Sequence, residues 1–164
     1  MREKDTKMEK LYVLCVDDQR EVLSSVVRDL VSLKDWTVIE ECESAEEAQN
    51  LVDELASEGR PLALVICDHI MPGENGVDFL ARLAKDTRFP NVKKILLTGQ
   101  ATQQDTIAAI NEAQIDNYFE KPWETGPLLA SSRRLLSEYL FDAGLYTKEY
   151  QGVVASGVLL ERLR

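Results

Sequence analysis

Leu62-Ala63-Leu64-Val65-Ile66-Cys67 is an unbroken apolar run that ends on Asp68. A strand without polar alternation has both faces buried, the situation of a central strand in a parallel sheet covered by helices on each side. Three further short runs repeat the pattern. Leu11–Val16 leads into Asp17-Asp18, residues 95–97 lead into Thr98, and Tyr118-Phe119 comes just before Lys121-Pro122. In an open parallel sheet, ligands bind outside the carboxyl ends of the strands, so these distant polar residues should meet in one crevice.

Between the apolar runs the periodicity changes to that of helices. Val22, Leu23, Val26, Val27, Leu30, Val31 and Leu33 recur at helical spacing, which predicts a first helix through Leu33. Residues 36–39 read as a short strand. Ser44-Ala45-Glu46-Glu47 matches a capping box and opens a helix to about Ser57, stopped by Gly59-Arg60-Pro61. Met71-Pro72-Gly73 forces a turn, and Val77, Phe79, Leu80, Leu83 and Ala84 mark a third helix. A fourth strand over 92–97 precedes a helix carrying Ile107, Ala108, Ile110 and Ala113. Residues 117–120 form a fifth strand, and Leu128, Leu129, Leu135, Leu136, Tyr139 and Leu140 mark the last helix. Five β-α units in sequence predict an α/β fold, a doubly wound five-stranded parallel sheet with helices on both faces.

Beyond the fold, composition mainly excludes. A net charge of −10 gives no basic face for gripping nucleic acid. No apolar run reaches membrane-spanning length, and residues 1–10 lack the apolar core of a signal peptide, so a cytoplasmic protein with a charged leader is expected. Cys15, Cys42 and Cys67 are odd in number and form no C-x-x-C; Cys15 and Cys67 sit inside apolar strands as small buried hydrophobes.

Asp17, Asp18 and Asp68 therefore converge with Thr98 and Lys121. At an effective dielectric near 20, two carboxylates ~4 Å apart repel by about 4 kcal/mol. A hard cation removes that penalty, and Mg²⁺ favours a few carboxylates together with water and phosphate oxygens. Asp17 and Asp18 would form the metal pocket, Asp68 would be the nucleophile that becomes an aspartyl phosphate, and Thr98 and Lys121 would hold phosphoryl oxygens. The plainer reading makes Asp17-Asp18 a helix cap and Lys121 a surface charge. It suits any one residue better than all five at predicted strand ends.

With Val16-Asp17-Asp18, Asp68-His69-Ile70-Met71-Pro72-Gly73, Leu97-Thr98-Gly99 and Lys121-Pro122 in this order, the chain resembles the response-regulator receiver domain of two-component signalling over residues 11–140. The resemblance implies a flavodoxin-like sheet of order 2-1-3-4-5. It also implies phosphoryl transfer from a histidine kinase or phosphotransfer protein onto Asp68, with Mg²⁺ (or Mn²⁺) held by Asp17, Asp18, Asp68 and the Ile70 backbone carbonyl. A cis Lys121-Pro122 peptide is implied as well. The readout would be a population shift in which Thr98 moves toward the phosphate and Tyr118 changes rotamer. Tyr118 would otherwise be a strand aromatic packed on the last helix. Such a protein modifies only itself and is not an enzyme acting on other molecules.

Several residues stand apart from the family pattern. Ile70 is apolar where many relatives are polar, and Gln100 is placed to reach an attacking water. His69, the sole histidine, is expected in a loop or surface role, because adjacent strand residues point to opposite sides. Trp123 either covers the start of the last helix or joins a docking face. Glu120 and Glu124 read as solvated charges, and Arg133 and Arg134 as surface groups or a dimer pair. The expected organisation is a leader over 1–10, a receiver over 11–141 and an extension over 142–164. That extension looks partly helical but interrupted by Gly152 and Gly157. Its apolar residues suit either a partner-binding or dimerising helix or a segment folded back on the receiver. The output would be a downstream protein or a fused domain, without direct nucleic-acid or membrane binding.

Two other classes compete. A phosphorylation-independent scaffold would ordinarily have lost an acidic residue or the lysine, and all are present here. A Mg²⁺-dependent aspartate-nucleophile phosphatase resembling the haloacid dehalogenases needs Asp-x-Asp, where this chain has Asp17-Asp18-Gln19.

Overall fold

All seven residues of β3 (Leu62–Asp68) are buried, and that strand lies at the centre of the sheet in a computed structural model that describes residues 8–99 and 103–164. Around it stand β1 (Leu11–Val16), β2 (Thr37–Cys42), β4 (Lys93–Thr98) and β5 (Asn117–Glu120), in the order β2-β1-β3-β4-β5 with every pairing parallel. The chain starts near the middle, winds outward to β2, then crosses back through β3 to β5. The β1/β3 boundary is thus the point where strand order reverses, the place at the carboxyl ends where open α/β sheets bind their ligands.

Alternation along the strands feeds two apolar layers. Leu64 and Ile66 join Leu11, Val13 and Cys15 on the face covered by α1 (Arg20–Asp29) and α5 (Thr125–Asp142). Val65 and Cys67 join Leu14 and Val16 on the face covered by α2 (Ala45–Glu58), α3 (Gly76–Ala84) and α4 (Gln103–Ala113). Cys15, Cys42 and Cys67 are free and buried, and burial pushes the Cys42 thiol up to about 12.

Several element ends differ from the sequence expectation. The first helix stops at Asp29, and Val31–Leu33 tightens into a 3-10 turn that brings Leu33 inward and leaves Val31 exposed. Apolar spacing alone cannot separate one long helix from a helix plus a tight turn. The second strand begins at Thr37, one residue after the buried Trp36, and extends to Cys42. Ser44 caps α2 by accepting from the Glu47 backbone N–H at 3.0 Å. The Glu47 carboxylate accepts from the backbone N–H of Glu43 (3.3 Å), one residue before the partner that a capping box prescribes.

After α5, Gly144 takes a left-handed conformation (φ 71°) and the chain turns back on the domain. A 3-10 turn, Lys148–Tyr150, buries Tyr150 against Trp36, with ring centroids 6.4 Å apart, and its hydroxyl donates to the Glu9 carbonyl. Val154 and Val158 are buried too, and α6 (Ser156–Arg162) packs on α5. Gly157 is the second residue of that helix and does not interrupt it; glycine costs a helix only about 1 kcal/mol relative to alanine, which burial of the adjacent Val158 offsets. Among the described residues, no helix is long and apolar enough to cross a membrane. The leader up to residue 7 and Gln100 lie outside the described residues.

Candidate functional site

β1 ends at Val16, directly between Cys42 of β2 and Cys67 of β3. That register delivers Asp17-Asp18 beside Asp68, the last residue of β3. One carboxylate oxygen from each of Asp17, Asp18 and Asp68 lies within 4.8 Å of the others. Asp17 and Asp68 are buried and Asp18 is exposed, so the cluster has a floor and a solvent-facing edge.

Lys121 closes the floor. Its Nζ lies 2.9 Å from Asp17 Oδ2 and 2.9 Å from Asp68 Oδ1. It arrives there because β5 pairs with β4, and the Lys121 backbone N–H donates to the Thr98 carbonyl at 2.8 Å. The next peptide, Lys121-Pro122, is cis. Thr98 ends β4 and is buried; Tyr118 on the neighbouring strand is 41% exposed, so it is not sealed under the last helix.

The electrostatics are unbalanced. Burial pushes the Asp68 carboxyl above its usual range; Lys121 opposes that through its hydrogen bond, and the charges of Asp17 and Asp18 add to the rise. For Lys121, burial works against the ammonium, but its bonds to Asp68 and Asp17 prevail and raise its pKa. One ammonium facing three carboxylates leaves excess negative charge, which a hard divalent cation would balance. The donor set is all oxygen, which fits Mg²⁺ or Mn²⁺ and not a thiolate-seeking metal. Asp17 also accepts from the Gln19 backbone N–H at 2.8 Å, so it tethers the start of α1 while facing the cluster.

Ile70 lies in the loop after β3 and is 70% exposed. His69 is held by its backbone, donating to the Leu97 carbonyl (3.1 Å) and accepting from the Gly76 N–H (2.8 Å), while its Nδ1 is buried with no hydrogen-bond partner among the described residues. Glu120 and Glu124 are exposed, and Arg134 pairs with Glu138 one turn along its own helix at 2.9 Å.

Gly76 is a contributor that sequence reading overlooked. A Cβ at this position would sit 1.9 Å from the Asp68 carbonyl oxygen and 2.8 Å from its carbonyl carbon. Only glycine allows α3 to start so close to the strand that carries Asp68. The available signal was a glycine in a helical first turn, where alanine is preferred unless something crowds the backbone.

The profile of the response regulator receiver domain matches residues 13–133. The hydrogenase transcriptional regulatory protein HoxA of Cupriavidus necator is 29% identical over 150 residues, 92% of this chain and 29% of that protein. The chain thus spans less than a third of that regulator's length. Chemotaxis protein CheY1 of Helicobacter pylori is 26% identical over 113 residues, covering 69% of this chain and 86% of that protein. Among solved structures, the signal receiver domain of an HD domain-containing protein from Pseudomonas fluorescens Pf-5 superposes with a TM-score of 0.69 at 29% identity, covering 80% of this chain and 98% of that one.

Proposed function

The chain belongs to the response regulator receiver domain family, and from that premise we propose that Asp68 is its phosphoacceptor, served by Asp17, Asp18, Thr98 and Lys121. The observation that carries the reading is the placement of Lys121 Nζ at 2.9 Å from both Asp17 and Asp68. An ammonium there neutralises charge on the nucleophile side and is positioned to follow a phosphoryl oxygen.

In the proposed step an Asp68 carboxylate oxygen attacks the phosphorus of a phosphohistidine on a kinase or phosphotransfer protein. The P–O bond forms as the P–N bond breaks, and the imidazole leaves with the electron pair and takes up a proton. Mg²⁺, held by Asp17, Asp18, Asp68 and the Ile70 carbonyl, would supply charge neutralisation at the phosphoryl oxygens. Lys121 and the Thr98 hydroxyl take the remaining oxygens.

The phosphorylated Asp68 then biases the β4 and β5 ends. Thr98 is buried at the end of β4, the strand next to the one that ends on Asp68, and Tyr118 has the exposed position that a rotamer-based readout needs. The receiver part spans residues 11–141, with 142–164 as an extension, and the signal passes to a downstream protein or a fused output domain. Retention of all three carboxylates and the lysine favours this over a phosphorylation-independent scaffold.

Intact mass after incubation with acetyl phosphate and Mg²⁺ tests the proposal. One added phosphoryl group is expected, absent without Mg²⁺ and absent in Asp68→Asn. No adduct and no released phosphate, under conditions that modify a control receiver, would overturn it.

A further inference from the structure

Away from the carboxylate cluster, the end of α1 makes an unusual contact with the segment that carries Lys121. Asp29, the last residue of α1, accepts from Trp123 Nε1 through Oδ2 at 2.8 Å and from Thr125 Oγ1 through Oδ1 at 2.9 Å. Each carboxylate oxygen is used by a different donor. The helix itself disfavours an anion here, because its carboxyl end carries partial negative charge. The two donors account for the residue, since hydrogen bonds to an ionised acceptor are stronger than neutral ones.

We propose that Asp29 is a positioning residue for Lys121, bracing the segment from Lys121 to Thr125 against α1 so that the ammonium meets Asp17 and Asp68. This rests on the phosphoacceptor reading above. The contacts form a closed circuit. α1 begins just after Asp17-Asp18-Gln19 and runs about 15 Å to Asp29. Asp29 holds Trp123 and Thr125, and two residues before Trp123 the Lys121 ammonium returns to Asp17 at 2.9 Å.

The other side of the loop is fixed by the Lys121 N–H on the Thr98 carbonyl. Glu124, at the N-cap of α5, makes no side-chain capping bond; the start of that helix is held to α1 instead through the Trp123 and Thr125 side chains on Asp29. With the backbone fixed on both sides, the flexible lysine stem has less freedom to lose when it closes on a phosphoryl oxygen.

The test compares Asp29→Ala, Trp123→Phe and Thr125→Val with the native chain for phosphorylation by acetyl phosphate and Mg²⁺, well below the Tm of each variant. Asp29→Ala should slow phosphorylation about tenfold, and the two donor variants less. In a Lys121→Ala background, Asp29→Ala should cause no further loss.

A second readout needs no phosphorylation. NMR relaxation of the Lys121 ε-methylene should show greater mobility in Asp29→Ala and Trp123→Phe than in the native chain. A native phosphorylation rate in Asp29→Ala with unchanged Lys121 mobility would overturn the bracing role, and so would additive losses with Lys121→Ala. If the native chain takes up no phosphoryl group, the phosphoacceptor reading is what fails. Increased Lys121 mobility would then still support the brace, and unchanged mobility would overturn it too.

Discussion

At the carboxyl ends of its strands the sheet closes on Asp17, Asp68 and Thr98, all buried, whereas at the amino ends it closes on Trp36, Tyr150 and Val154. The first end gathers like charges around one lysine and is stabilised only in part by its own contacts. The second end is apolar and pinned by opposite charges, with Asp142 between Lys93 (2.8 Å) and Arg162 (2.9 Å). A domain whose stability resides at one end can leave the other strained and responsive to a ligand.

The largest expected effect lies at the amino ends. Tyr150→Ala removes a buried aromatic and should cost about 3 kcal/mol in denaturant melts. Phosphorylation measured well below Tm should nevertheless change by less than about twofold; a larger change would break the separation between the two ends. Gly76→Ala makes the complementary prediction. Its methyl must displace the Asp68 backbone, costing about 2 kcal/mol and slowing phosphorylation roughly a hundredfold.

Asp68→Asn should do the opposite of most buried substitutions. Without metal it should stabilise the protein by about 1 kcal/mol at pH 7, read as a higher urea midpoint. Mg²⁺ should then narrow the gap by stabilising the native chain more, because it keeps the third carboxylate.

The two ends should also answer acid in opposite directions. The Asp68 pKa is raised in the folded state, so the folded chain holds the proton more tightly, and stability falls as pH rises from about 4 through the folded value. For Asp142, burial raises the pKa but Lys93 and Arg162 prevail and lower it. Its contribution is present above the unfolded value near 3.8 and is lost as pH falls through the folded one. In EDTA, the advantage of Asp68→Asn over the native chain should therefore shrink toward pH 4. Asp142→Asn should cost only about 0.5 kcal/mol at pH 7, and that cost should vanish in acid.

The carboxylate end was legible in the sequence because each strand announces itself by an apolar run and stops at a polar residue. Asp17, Asp18, Asp68, Thr98 and Lys121 needed only the topology to be brought together. The amino end was less so. Tyr146, Tyr150, Val154 and Val158 show that something must cover them, but nothing local distinguishes a partner from the chain's own surface. The structure folds Tyr150 onto Trp36, more than a hundred residues earlier in the chain. Gly76 and Asp29 escaped notice for a similar reason. Their importance lies in contacts across the fold, with the Asp68 carbonyl and with Trp123 and Thr125, that no periodicity or spacing encodes.

The buried carboxylate at the end of β3 is proposed as the place where the phosphoryl group lands. Borohydride reduction of the acetyl phosphate-treated chain, followed by peptide mass mapping, tests it most directly, because hydride converts an aspartyl phosphate to homoserine and leaves a free carboxylate alone. Homoserine is expected at position 68, dependent on Mg²⁺. Reduction at a different aspartate, or none while a control receiver is reduced, would contradict it.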